Sequence, residues 1–258
     1  MSAARKLLLG LLAVVLVAGC ANETSGPIER QTRNVAEFRA IDMEGSAELA
    51  ITVGSEASVQ IEAPVEVLDR LKTEVRGDTL YIESKPKDWI FKKGRSRPKV
   101  TVFVPSLTSL RVGGGNEVNV HGFSGGDTQI RVEGAVDIEG AGELDRLTIR
   151  MAGAGTGDFS RLIATDTHVT VDGVGTVSVH PKETLNATMN GVGAIHYTGT
   201  PREVRTHMNG LGRIAKADTD DIEAADIEAA PDEQVEIDPD TLQPEYEDDT
   251  PRDTSDVI

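Results

Sequence analysis

The chain has one cysteine, Cys20, among 258 residues. An intrachain disulfide is therefore excluded, and stability must come from a packed core. Long apolar runs are also missing. The stretch Leu7 to Val17 is eleven residues, too short to span a bilayer as a mature helix, which takes about 20. Excess basic charge is missing too: the formal net charge is −17, which argues against nucleic acid as a partner of an exported chain. Serine catalysis needs a serine with a base and an orienting acid, and the sequence offers no support for that arrangement. Glycine-rich runs at Val112–Gly115 and Gly153–Gly157 are not followed by an amphipathic helix, as a dinucleotide or phosphate loop requires. Calcium nonapeptides repeat every nine residues with an aspartate column, and that column is lacking. No cofactor is expected.

What the chain does have is one short phrase written six times. It reads VGGGNEV from Val112, VEGAVDI from Val132, MAGAGTG from Met151, VDGVGTV from Val171, MNGVGAI from Met189 and MNGLGRI from Met208. The central glycines are Gly114, Gly134, Gly153, Gly173, Gly191 and Gly210, separated by 20, 19, 20, 18 and 19 residues. A period held near 20 marks a solenoid with one coil per repeat. Two residues before each glycine lies an apolar column, Val112, Val132, Met151, Val171, Met189 and Met208, which should face inward. The next column is mixed and mostly polar, ending in Asn190 and Asn209. It should face out, with those two asparagines in a short amide ladder. Four residues after the glycines come Val118, Ile138, Gly157, Val177, Ile195 and Ile214, apolar in five of six. Alternation of period two means strands.

A coil of this length is too short for helical repeats, and the aligned leucines and asparagine of leucine-rich repeats are missing. The expected fold is all-β, a parallel β-helix (β-solenoid) of about 19-residue coils preceded by irregular strands. Six coils would rise roughly 29 Å. The glycines are expected at corners, for positive φ or close backbone approach. The alternative is an antiparallel sandwich with glycine-rich turns.

The first residues read as a leader. Arg5 and Lys6 precede the apolar stretch, which ends in Val17-Ala18-Gly19-Cys20. Small residues before a cysteine, straight after a signal-peptide core, resemble the lipobox of bacterial lipoproteins. The resemblance implies cleavage before Cys20, diacylglycerol on its thiol and acylation of the new amino terminus. Three chains would anchor firmly, since each buried methylene contributes about 0.8 kcal/mol. Ala21 lacks the Asp that usually retains lipoproteins at the inner membrane, which leans towards the outer membrane. Domain bounds follow: signal peptide 1–19, polar tether 20–33, solenoid 34–216 and acidic tail 217–258.

Before the repeats, Leu49, Ile51 and Val53 form a period-two run, followed by Val59 and Ile61, then Leu80 and Ile82 after the turn Gly77-Asp78, then Val100, Val102 and Val104 ending at Pro105. The stretch Val65 to Val75 fits a short helix or an irregular strand. The series of F-x-x-I at Phe38–Ile41, G-D-x-L-x-I at Gly77–Ile82, and L-x-x-L at Leu107–Leu110 leading into glycine-rich coils resembles the family called putative autotransporter adhesin, head GIN domain. The likeness covers about residues 34 to 216. It implies a β-helical domain, often on an envelope lipoprotein, with no established enzymatic activity.

Candidate sites are few. His121 and His180 both lie seven residues after their glycines, which places them in one column three coils apart. That is about 14 Å by strand spacing, too far to share a metal, and no metal site is expected. A β-helix carbohydrate enzyme needs clustered carboxylates with an Arg or Lys base, which the outward column does not offer. One surface segment does attract attention: Lys85, Lys87, Lys92, Lys93, Arg95, Arg97 and Lys99, with Trp89 and Phe91 among them and Asp88 as the single acid. Basic groups around an aromatic suit an anionic glycan, lipid head groups or a phosphate-rich polymer; the plainer reading is a solvated loop between strands.

From Asp218 to Ile258 there are 17 Asp or Glu against Arg252 alone, a net of −16. Residues 1–217 therefore carry −17 − (−16) = −1. Ile222–Ala230 fits a helical turn or two; four prolines and dense charge beyond it argue for disorder. The segment is expected to solubilise, or to mask the basic stretch 85–99. A solenoid end is a sheet edge that invites pairing with another copy, unless the N-terminal strands and the start of the tail cap both ends. The expected function is a non-catalytic, lipid-anchored envelope binding module, adhesin-like. The alternative is a structural or signalling accessory of the envelope that binds another protein on its flat face, and the remote alternative is a β-helix carbohydrate-active enzyme.

Overall fold

A computed structural model of the chain describes residues 27–84 and 97–217. The strands are β1 (Ile28–Arg33), β2 (Ala40–Gly45), β3 (Glu48–Val53), β4 (Ser58–Pro64), β5 (Leu71–Arg76), β6 (Thr79–Ser84), β7 (Lys99–Val104), β8 (Ser109–Ser124), β9 (Asp127–Val132), β10 (Ala135–Met151), β11 (Ala154–Val171), β12 (Val174–Met189), β13 (Val192–Tyr197), β14 (Glu203–Met208) and β15 (Leu211–Lys216). They join in one 15-stranded hydrogen-bonded sheet, wound into about five turns of roughly 20-residue coils. The chain is a β-solenoid, as the repeat predicts.

Two faces run the length of the stack. The first holds β6, β2, the start of β8, β9, the later parts of β10, β11 and β12, and β14, each parallel to the next. The second holds β7, β3, the later part of β8, the starts of β10, β11 and β12, then β13 and β15, again parallel. The columns read from the sequence are real registers. Val112, Val132, Met151, Val171 and Met189 stack and are fully buried. So do Val118, Ile138, Gly157, Val177 and Ile195.

The glycines sit where one rung crosses closely over the next. A Cβ on Gly191 would overlap the carbonyl oxygen of Gly173, and just there Val192 N donates to that same oxygen at 2.9 Å. Close approach selects glycine throughout this column, and Gly114 alone of the six also has a positive φ, +88. Two residues on, Gly193 has φ +144, where an L side chain is strained.

Space and sequence order part company at the N-terminal end. β2 lies between β6 and β8, and β3 between β7 and β8. The segment before the repeats thus supplies rungs of its own, with the later pair β6 and β7 stacked outside the earlier pair. Antiparallel strands follow on both faces: β5 on β6, β4 on β7, and β1 on β4. The ambiguous stretch is helix and strand in turn: α1 (Val65–Leu68), then β5.

Residues 28–33, expected as the last part of the tether, form β1 instead. Their apolar alternation is absent because the strand is exposed over nearly its whole length. Specific polar contacts hold it. Arg33 Nη1 donates to Leu71 O at 2.8 Å and to Thr73 Oγ1 at 2.9 Å, and Arg30 pairs with Glu62. One buried polar side chain joins the N-terminal rungs to the repeats. Asn116 donates to Gly113 O at 2.8 Å and to Gly45 O at 3.2 Å, and accepts from Ala47 N at 2.9 Å. Every part of its amide is engaged, which buried amides require.

Candidate functional site

Of the expected basic patch, Lys85, Lys87, Trp89, Lys92, Lys93 and Arg95 lie outside the described residues, as does Cys20. Arg97 and Lys99 are described and exposed. Both line an open cleft with Glu48, Glu62 and Glu117. Lys99 pairs in register with Glu48 on one side and Glu62 on the other. Local charge at the root of the segment is therefore mixed.

The histidine column does not hold. His180 is in register with Ile163, and Ile163 with Glu143, which pairs with Ser124 rather than His121. Coils of unequal length absorb their differences in bulges between Glu139 and Ala141 and between Phe159 and Ile163. Counting from the glycines loses phase past those points. Among the described residues no group of three or more His, Cys, Asp or Glu is placed to hold a metal. The amide ladder does form: Asn209 Nδ2 donates to Asn190 Oδ1 at 3.0 Å, and Asn190 Nδ2 to Asp172 Oδ1 at 2.7 Å.

A different column is the most organised polar feature of the first face. Three residues before the glycines the repeat reads Arg111, Arg131, Arg150, Thr170, Thr188, His207. The registers stack the three arginines on successive rungs, about 4.8 Å apart. Asp42 precedes them in the same column, and Tyr81 precedes Asp42. Adjacent guanidinium charges at this spacing repel by about 1 kcal/mol even in water, so the column needs counter-charge. It comes from beside and below. Arg111 Nη1 donates to Asp42 Oδ1 at 2.9 Å and its Nη2 to Glu133 Oε2. Glu133 Oε1 also lies 3.5 Å from Arg131 Nε. Arg150 Nη2 is 2.8 Å from Asp172 Oδ2, an ion-pair contact outside hydrogen-bond angles.

The hydrogen bond from Arg111 holds the Glu133 carboxyl below its ordinary range, and the same bond, with that to Asp42, raises Arg111 against the opposing effect of burial. The three arginine side chains stay half-exposed, at 39, 45 and 52% for Arg111, Arg131 and Arg150. The result is a flat row of oriented donors beside fixed carboxylates. It can recognise a surface by hydrogen bonds and charge. The signal was present in the sequence as a fourth column, hidden because only its first three members are basic.

The family profile for "putative auto-transporter adhesin, head GIN domain" matches residues 37–201. The chain belongs to this family. Solved structures are similar to it, and the first of the following shares the fold. A putative adhesin from Bacteroides fragilis is 21% identical with a TM-score of 0.59, over 74% of this chain and 97% of that one. A putative lipid binding protein from Parabacteroides distasonis is 20% identical with a TM-score of 0.42, over 75% and 98%. A putative adhesin from the same organism is 17% identical with a TM-score of 0.44, over 74% and 98%. No curated protein matches the chain significantly.

Proposed function

We propose that this head GIN domain protein is a non-catalytic binding module of the bacterial envelope, adhesin-like, held at the outer membrane by lipid on Cys20. Family membership across residues 37–201 carries the reading. The leader ending Val17-Ala18-Gly19-Cys20 supplies the anchor, and an array of rigid, outward-facing side chains supplies the means of contact. The basic segment from Lys85 to Lys99 is the candidate grip for an anionic glycan.

A second reading has its own observation. The arginine column Arg111–Arg131–Arg150 is charge-balanced by Asp42, Glu133 and Asp172, a surface that suits a protein partner better than a polyanion. Arginine is enriched at such interfaces.

Two experiments test the proposal. Palmitate labelling of the wild type and Cys20→Ser should show label and membrane retention only in the wild type; a soluble, unlabelled wild type overturns the anchor. Binding to sulfated and neutral glycan arrays should fall in a Lys92, Lys93, Arg95→Ala triple variant. Capture of an envelope protein that is lost in Arg131→Ala, with no glycan signal, would favour the second reading. Hydrolysis of any polysaccharide by the wild type would overturn both.

A further inference from the structure

The two ends of the solenoid differ. At the N-terminal end, the antiparallel strands β1 and β5 form the edges. Their charges, Glu29, Arg30 and Arg33 on one and Lys72, Glu74 and Arg76 on the other, are the usual guard against edge pairing. At the C-terminal end, β14 and β15 are the last rung, and among the described residues no strand pairs with their outer edges. Residues that complete the core in other rungs lie open here. Val204 is in register with the fully buried Leu185, and Met208 with the fully buried Met189, yet they are 40 and 42% exposed.

A second apolar feature leads to the same place. The residue after each central glycine stacks as Ala135, Ala154, Val174, Val192 and Leu211. The last three are 58, 47 and 73% exposed. They form an aliphatic ridge flanked by the glycine columns, and it grows in size towards the open rung. Single exposed aliphatics are ordinary; a contiguous row running into an unpaired edge is an association surface.

We propose that this open end is a self-association surface for a second copy of the chain, and that the charge of the acidic segment starting at Asp218 holds the copies apart. Three observations favour a second copy. The edge strand carries both signs, with Arg205 paired to Glu203, so an antiparallel copy of β14 can present opposite charges to it. Among the described residues only this end joins an unpaired edge to a row of exposed apolar residues, so pairing closes at a dimer instead of propagating as a filament. Without Arg5 and Lys6 of the leader, residues 21–217 carry a net charge of only −1 − 2 = −3, so the bodies themselves repel little. The repulsion belongs to the tail, −16 over 41 residues, and it begins two residues after β15. Two copies meeting at this end must bring two such charges together.

The test uses the chain from residue 21, which keeps every described residue and the whole tail, in sedimentation equilibrium. From about 0.01 M to about 1 M salt the screening length falls from about 30 Å to about 3 Å. The wild type is expected to be monomeric at the low end and to dimerise at the high end. A full-length variant with the 17 tail carboxylates changed to amides should associate at least roughly tenfold more tightly at low salt and lose most of the salt response. Adding Met208→Lys and Leu211→Lys to that variant should restore the monomer, while Ile28→Lys on the exposed edge strand β1 at the other end should not. A neutral-tail variant that stays monomeric at every salt concentration would overturn the proposal, and would point to the tail acting by covering the end. Dimerisation unaffected by Met208→Lys and Leu211→Lys would overturn the placement of the surface.

Discussion

The ring of Phe159 lies in the space that a side chain at Gly157 would take: a Cβ there would come 3.0 Å from Cε2 of the ring. Gly157 is the one glycine in a column of Val118, Ile138, Val177 and Ile195, and Phe159, fully buried, fills the gap from two residues away. Restoring the column with Gly157→Val should overpack the core and cost about 1–3 kcal/mol. Phe159→Ala should cost about 3–5 kcal/mol through the cavity it leaves. The double variant should cost less than the sum, because the valine enters the vacated space. Denaturant midpoints of the four proteins in a double-mutant cycle check this; strict additivity would show that the two positions are not coupled.

That pair also shows what could be read in advance. The glycine at 157 was visible as an exception in an inward column, and the column was right. What filled it was not visible, because Phe159 belongs to the same coil and its packing depends on a second glycine, Gly140, against which the ring also rests. Strand type, inward columns and the Asn190–Asn209 ladder were legible because the glycine phase repeats. Phase fails past the bulges, which is why the histidine column was misplaced. The exchanged order of β2 and β6 was hidden for a different reason. Both carry the same alternation, and nothing local says which one stacks on β8. The arginine column was legible but is masked by its change to threonine at residue 170.

Two glycines of the repeat's first copy and its later copies should respond differently to alanine. Gly115→Ala adds a Cβ that meets only Ser46 Oγ at 3.8 Å, at an ordinary backbone angle. It should be neutral or stabilise by about 0.4–1 kcal/mol through the unfolded chain. Gly191→Ala places a methyl on the carbonyl of Gly173, so the rungs must part. A loss of more than about 2 kcal/mol, with loss of hydrogen-exchange protection in β13 and β15, is expected. Equal melting temperatures for the two variants would contradict the close-approach account.

Thr167 is fully buried between Leu147 and Leu185 in its column, and its hydroxyl finds no hydrogen-bond partner among the described residues. A buried hydroxyl without a partner costs about 1–3 kcal/mol. Thr167→Val keeps the shape and the branching, and should therefore raise stability by roughly 1 kcal/mol. Thr128 is the control. It is equally enclosed, but it donates to Leu107 O at 2.7 Å, and Thr128→Val should destabilise. A thermal melt of each variant decides the matter, and the same sign for both would show that the partner is irrelevant.

Glu133 accepts from Arg111 and lies beside Arg131, and the first of these bonds holds its carboxyl below the ordinary range. A carboxylate whose folded value is depressed adds stability at pH above its unfolded value, about 4.3, and loses it as pH falls through the lower folded value. Wild type and Glu133→Gln should therefore differ in unfolding midpoint at neutral pH and converge on acidification below that value. Arg111→Ala should move the Glu133 titration, followed by carbon-13 NMR, up towards the ordinary range, and Arg111→Lys should restore it only in part, because an ammonium cannot span Asp42 and Glu133 as a guanidinium fork does. The same pH series separates this role from recognition. If the column serves a protein partner, partner affinity in Arg131→Ala should fall at neutral pH while the unfolding midpoint stays near the wild type, since Arg131 has only a 3.5 Å contact to Glu133. A parallel fall in both would assign the arginines to the stability of the face alone.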